Sequence, residues 1–146
     1  MAVGKKAAII FIIVAGGDMA DVQMCGQRRL QVGRMGEDLA LRFLEERGMR
    51  LVARNWRSGH KELDLIVDDG RFLRIVEVKS LVYPNGTDPF GAVDTKKRRR
   101  MVAAANHFVL HHDVRQEVVF DVVSVVFNGD HYKLEYFEEA FSPCCI

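Results

Sequence analysis

The segment Arg74–Ser80, RIVEVKS, carries Glu77 and Lys79 two positions apart in a stretch otherwise rich in β-branched residues. Strand side chains alternate between faces, so a carboxylate and an ammonium share one face of what reads as a core strand. The apolar segment just before it, Glu62–Val67 or ELDLIV, carries Glu62 and Asp64 in the same alternation. Oxygen ligands with no His or Cys nearby suit Mg2+ or Mn2+ rather than Zn2+. A cation held by two carboxylates keeps positions open for water and a phosphate oxygen, acidifies that water and offsets charge on a phosphorane-like transition state. An ammonium alongside can orient the attacking water or stabilise developing negative charge. The chemistry these residue types support is hydrolysis of a phosphate ester.

The elements that must position them follow from the turn between the two segments. Asp69-Gly70 is a strong hairpin signal. With those two as the central residues of a type I′ turn, Asp68 pairs with Arg71, Asp64 faces Ile75 and Glu62 faces Glu77. Asp64, Glu62, Glu77 and Lys79 then share a face, with Asp64 and Glu77 as diagonal neighbours about 7–8 Å apart at Cα. The other face carries Leu63, Leu65, Val67, Phe72, Val76 and Val78, an apolar surface with Arg74 as its misfit. Three carboxylates on one face repel one another, and a divalent cation removes the conflict. The same spacing also fits an ion-pair ladder of Glu62 and Glu77 against Lys79, Lys61 and a helix cation on a half-exposed sheet face.

Two helices flank this hairpin in sequence. The first spans about Val32 to Arg47, with Leu39, Ala40, Phe43 and Leu44 as its apolar stripe and Gly48 as its stop. Glu37 lies at the edge of that stripe, where a carboxylate can face the sheet or simply favour the first turns of the helix. The second spans about Asp94 to Leu110, opened by Asp94 or Thr95 as N-cap. Lys97 lies in line with Met101, Ala104, Ala105 and Phe108 and so on the inward side. The rest of the run Lys96–Arg100, KKRRR, fans outward.

Strands are expected at about Arg50–Asn55, Glu62–Val67, Phe72–Lys79 and Val118–Phe127, with a last one over Tyr132–Phe137. A loop with Pro84, Asn85, Gly86, Pro89 and Gly91 precedes the second helix. The order is α-β-β-β-α-β with a final β, and residues 27–146 read as one domain. Residues 1–26 form an extension with signal-like grammar, two lysines and then an apolar run from Ala7 to Ala15. That run is too short to span a membrane. It fits a signal peptide, a buried N-terminal strand, or a segment upstream of a true start at Met19 or Met24.

The chain has 146 residues, enough for one domain with a real core, and its formal net charge is +1. That near-neutral total hides an uneven distribution, with Arg-rich sequence before the strands and KKRRR after them. Cys25, Cys144 and Cys145 form no disulfide framework, which favours a reducing, cytoplasmic compartment, while the N-terminal apolar segment leaves export open. His107 and His111 stand four apart on a helix without a third ligand, which reads as helix C-terminal histidines. Asp121, in the apolar FDVV, can bond a neighbouring loop or position Lys79. Trp56 reads as an anchor beside a turn, and Arg57 as an exposed arginine within reach of a phosphate.

Taken in order, GRMGEDLALRFLEERG, LVARNWR, ELDLI, VEVKS, the Lys97 helix, FDVVSV and FEEAFSP resemble the UPF0102 (YraN-like) family over about Gly33 to Pro143. The resemblance implies a restriction-endonuclease-like PD-(D/E)XK fold, an αβββαβ core with a mixed central sheet flanked by helices, distantly similar to archaeal Holliday junction resolvases. By that resemblance Asp64 and Glu77 are the motif carboxylates, Lys79 the motif lysine, Glu37 the helix carboxylate and Lys97 the inner lysine. The chain departs from the family in having Leu63 where the motif has Pro, Lys61 where Gly is usual, and Leu81-Val82 where Arg follows.

The expectation is a metal-dependent nuclease. Its catalytic residues are Asp64, Glu77, Lys79 and Glu37, with Mg2+ or Mn2+ on Asp64, Glu77 and Glu62. Lys97, Lys96, Arg98 and Arg57 hold the nucleic acid, and branched or flapped DNA is the leading substrate. The fold's junction enzymes are often dimers, and no membrane partner is implied. The alternatives are a nucleic-acid-binding module without catalysis and a protein-interaction domain, both keeping the fold.

Overall fold

The structure is a computed structural model that describes residues 7–10, 26–83 and 93–145. In chain order the elements are strand β1 (Ala7–Ile10), helix α1 (Gly26–Glu45), strands β2 (Arg50–Ser58), β3 (Lys61–Asp68) and β4 (Phe72–Val82), helix α2 (Thr95–His111), and strands β5 (Glu117–Asn128) and β6 (His131–Phe141). A short 3-10 turn, Pro143–Cys145, follows. The α-β-β-β-α-β order with a final strand is the one the sequence predicts. Helix α1 starts six residues before the predicted Val32 and ends, as predicted, before Gly48, which takes a left-handed φ of 81°. The Pro- and Gly-containing loop before α2 and the alternative starts at Met19 and Met24 lie outside the described residues. No helix among the described residues is long and apolar enough to cross a membrane.

The strands form one mixed sheet in the order β1-β6-β5-β4-β3-β2. The β4–β5 pair is parallel, because α2 carries the chain across between them, and the other pairs are antiparallel. Residues 7–10, set apart from the domain in the sequence reading, pair with β6 at the sheet's edge.

The β3–β4 register corrects the hairpin derived from sequence. Leu65 pairs with Val76 and Asp68 with Leu73, a shift of two residues. The cause is the turn. Asp69 N–H donates to Phe72 O at 3.3 Å, so Gly70 and Arg71 are the central residues, not Asp69 and Gly70. Gly70 has φ 89°, the conformation a type II′ turn requires at its first central position. The Asp69 carboxylate accepts the backbone N–H of Arg71 and Phe72 and the Arg74 side chain, which fixes this choice. An even shift keeps Asp64, Glu77 and Lys79 on their predicted face, but Leu63 packs on the α2 side, opposite to its predicted face. It changes who is opposite whom: continued by one pair, the register sets Asp64 directly across from Glu77 and carries Glu62 away from it.

Both faces of the sheet are covered over its centre, while the charged end stays partly exposed, and of the ion-pair alternative the structure shows Glu77 paired with Lys79 and with a helix cation, Lys97, and Glu62 paired with Arg57. On one, Ala40, Phe43 and Leu44 of α1 meet Leu65, Val67, Val76, Val123 and Tyr136. On the other, Met101, Ala104, Ala105 and Phe108 of α2 meet Leu63, Ile66, Ile75 and Phe120. Trp56 packs edge-on against Phe108 at 5.3 Å between centroids, the anchor role the sequence assigns it. Gly36 lets α1 touch β4, since a Cβ there would lie 1.8 Å from the Ser80 hydroxyl.

Arg74, the misfit of the apolar face, is buried with Asp121, which is 0% exposed. Arg74 donates to Asp121, the Tyr136 hydroxyl donates at 2.6 Å, and the Glu139 backbone N–H donates at 2.8 Å. Glu139 has φ 46° in an irregular stretch of β6 where the pairing with β5 shifts around Asp121. The Arg74 charge and the Tyr136 and Glu139 donors leave Asp121 fully paired, and burial pushes the Tyr136 phenol up.

Candidate metal and phosphate site

Alternation places Asp64, Glu77 and Lys79 on the α2 side of the sheet. Helix α2 supplies a fourth group. Asp94 caps it by accepting the Lys97 backbone N–H at 2.7 Å, which fixes the first turn over the strands. From there the Lys97 ammonium reaches Glu77 Oε1 at 3.1 Å, and the Lys79 ammonium reaches the same oxygen at 3.1 Å. Glu77 is only 3% exposed. Its other oxygen, Oε2, is buried with no hydrogen-bond partner among the described residues.

Asp64 accepts the Val78 backbone N–H at 2.9 Å, so its side chain ties into β4. The Glu77 carboxylate lies close enough for its charge to act on the Asp64 carboxyl. Two ionised carboxylates are both acceptors and repel, so they coexist there only with positive charge at hand or with one of them protonated. Burial, and then the neighbouring Glu77 charge, push the Asp64 carboxyl up to about 7, against the opposing pull of the Val78 N–H and Lys97. Burial drags on the Lys97 ammonium, but the negative charges of Glu77, Asp64 and Glu62 outweigh it and raise its pKa. Lys97 therefore stays charged.

The remaining sequence candidates fall elsewhere. Glu37 accepts from Arg54 at 3.1 Å and Asn55 at 3.1 Å. Glu62 pairs with Arg57 at 3.2 Å, its neighbour across the β2–β3 ladder. Among the described residues no three His, Cys, Asp or Glu side chains converge as a metal site. Lys96 is exposed on the first turn of α2. Arg98 folds back, donating to Val93 O at 2.9 Å and lying over the Phe141 ring. His107 bonds Ser58 at 2.9 Å. The sequence reading did not single out Ser124, which stands beside Lys79 in the parallel register, fully buried, its hydroxyl without a hydrogen-bond partner among the described residues. Its signal was a lone hydroxyl inside the apolar run VVSVV.

The fold and the cluster together define a class: one α-β-β-β-α-β unit in which two carboxylates and two lysines converge on the central strands beneath the start of the second helix. A family model described as "Uncharacterised protein family UPF0102" matches residues 36–125, a span that takes in Glu37, Asp64, Glu77, Lys79 and Lys97. The chain is 40% identical over 111 residues to a UPF0102 protein of Porphyromonas gingivalis, covering 75% of this chain and 82% of that one. It is 41% identical over 128 residues to a UPF0102 protein of Anaeromyxobacter dehalogenans, covering 87% and 90%. A UPF0102 protein of Solibacter usitatus is 44% identical over 112 residues, covering 75% and 84%. The chain belongs to the UPF0102 family.

Proposed function

We propose that the chain is a divalent-metal-dependent nuclease of the restriction-endonuclease-like class, acting on DNA with selectivity for branched or flapped structure. The observation that carries the reading is Glu77 Oε2, a carboxylate oxygen buried without a hydrogen-bond partner among the described residues, on a side chain whose charge also acts on the Asp64 carboxyl. Hard oxygen donors in that position fit Mg2+ or Mn2+, which are bound through one or two carboxylates plus water and substrate phosphate. Asp64 and Glu77 would hold the ion, and Glu62 and Glu37 would join only by leaving Arg57 and Arg54. When bound, the ion supplies Lewis acidity toward a phosphoryl oxygen and acidifies water.

The chain's own residues do the rest. Lys79, pinned to Glu77, places a positive charge where negative charge develops in phosphodiester hydrolysis. Lys97 and the exposed Lys96 offer phosphate contacts at the positive end of α2. Such contacts carry no sequence information, so selectivity falls on structure or ends rather than on a cognate sequence. The test is cleavage of a panel of junction, flap and linear DNA with Mg2+ or Mn2+. Wild type should cut, and Lys79→Ala and Asp64→Ala should not. Equal cleavage by all three would defeat the reading.

One observation favours a second reading. Lys79 and Lys97 already balance the two carboxylates, so the folded chain stands without a metal. A nucleic-acid-binding module without catalysis would keep this arrangement and bind DNA in a salt-sensitive way that survives Asp64→Ala and Glu77→Ala.

A further inference from the structure

Glu77 Oε1 accepts from two ammonium groups at once, each at 3.1 Å. Like charges that close repel, and both stay because the buried carboxylate has few other ways to be neutralised. The two lysines are tethered differently. Lys79 shares the strand with Glu77 and stands two residues away on the same face. Lys97 comes from another element, and its side chain is 33% exposed. Its backbone is pinned by the Asp94 cap, so the ammonium can swing away without moving the helix.

The charges of the cluster set a condition on metal binding. Asp64 and Glu77 contribute two negative charges when ionised, and Lys79 and Lys97 contribute two positive ones. A divalent cation added to that balanced set leaves an excess of +2 in a largely buried place. Either an ammonium departs, or anions arrive, or both. The exposed side of the first α2 turn is where anions can arrive, because Lys96 and Arg99 are exposed there and the helix dipole is positive.

We infer that Lys97 is an exchangeable counter-ion that holds Glu77 in the metal-free protein and transfers to a nucleic-acid phosphate when a divalent cation binds, so that metal and nucleic acid bind cooperatively. The inference rests on the proposed metal site and deepens it. Lys97 and the cation compete for Glu77, and a phosphate relieves the competition by giving Lys97 another partner. Linkage then makes the effect reciprocal: DNA tightens the metal by the same factor as the metal tightens DNA. Glu77 is thereby kept neutralised at each stage.

The experiment measures Mn2+ affinity by the loss of the free-ion electron paramagnetic resonance signal, for wild type, Lys97→Met and Lys97→Arg. Each is titrated with and without a saturating phosphorothioate-backbone DNA duplex, which resists cleavage. Thermal melting confirms that each variant is folded. Without duplex, Lys97→Met should bind Mn2+ on the order of tenfold more tightly than wild type, as expected for removing one like charge beside the ion. Lys97→Arg should stay close to wild type. Adding duplex should tighten Mn2+ binding to wild type and change Lys97→Met little. Wild type that binds Mn2+ as well as, or better than, Lys97→Met overturns the counter-ion role and leaves the metal site standing. Absence of Mn2+ binding by wild type and Lys97→Met, with and without duplex, overturns both.

Discussion

Replacing Asp64 by Asn should make the metal-free protein more stable at pH 8 and leave it nearly unchanged at pH 4. In the folded state the Asp64 carboxyl titrates at about 7, pushed up by burial and by Glu77 from an ordinary value of 3.8. Between those two pH values the native state holds a proton that the unfolded chain has released. Stability therefore falls as pH rises through that window, and the deficit is constant above it. A displacement of about three units corresponds to at most ~4 kcal/mol. Asn matches the protonated acid in shape, and its side-chain oxygen can still accept the Val78 N–H. The assay is urea denaturation of wild type and Asp64→Asn at several pH values from 4 to 8.5, with a chelator present. Titrations common to both proteins cancel in the difference. The stability gain should climb from near zero to several kcal/mol. A difference that is flat with pH, or an Asp64→Asn protein less stable than wild type at pH 8, would refute the reasoning that two crowded carboxyls underlie the site.

Gly36→Ala should destabilise the fold by about 1–3 kcal/mol through overpacking, because its Cβ meets the Ser80 hydroxyl, and pairing it with Ser80→Gly should recover most of that in urea denaturation. Asp121→Ala leaves the buried Arg74 charge with Asp69 alone and strands the Tyr136 and Glu139 donors, and should cost about 3–5 kcal/mol in the same assay. Lys96→Ala and Arg98→Ala should separate two roles. Lys96→Ala should reduce the salt slope of DNA binding by about 0.9 per lost phosphate contact without changing the melting temperature. Arg98→Ala should lower the melting temperature, because its guanidinium holds Val93 O and covers Phe141.

The element order was legible because apolar periodicity and turn residues are local signals. The register of the decisive hairpin was not. Asp69-Gly70 fits a turn with Gly as its second central residue, and Gly70-Arg71 fits one with Gly first. Sequence offers no choice between them. The structure chooses through the Asp69 carboxylate, which bonds two backbone N–H groups and Arg74 at once. The predicted face of Asp64, Glu77 and Lys79 survived because the error was two residues, the period of a strand. Glu62 and Glu37 could be placed on a face but not in a pair, since their partners, Arg57 and Arg54, are set by how β2 lies beside β3 and under α1. One signal in the sequence went unused. Arg74 and Asp121 are opposite charges, each isolated in an apolar strand, and two such misfits in adjacent strands are most economically explained by each other.

The corrected register also changes what the charged face asks for. A diagonal trio of Glu62, Asp64 and Glu77 demands a cation simply to exist. The observed arrangement does not, because Glu62 has turned to Arg57 and Lys97 has come down from α2. Two lysines suffice to hold two carboxylates, yet they do so unevenly. Both crowd one oxygen of Glu77, while its other oxygen is buried with no hydrogen-bond partner among the described residues. A purely structural ion pair would gain by distributing its donors over all four oxygens. Concentrating both lysines on Oε1 leaves Oε2 buried and unpaired among the described residues, the position a cation would take up under the proposed function.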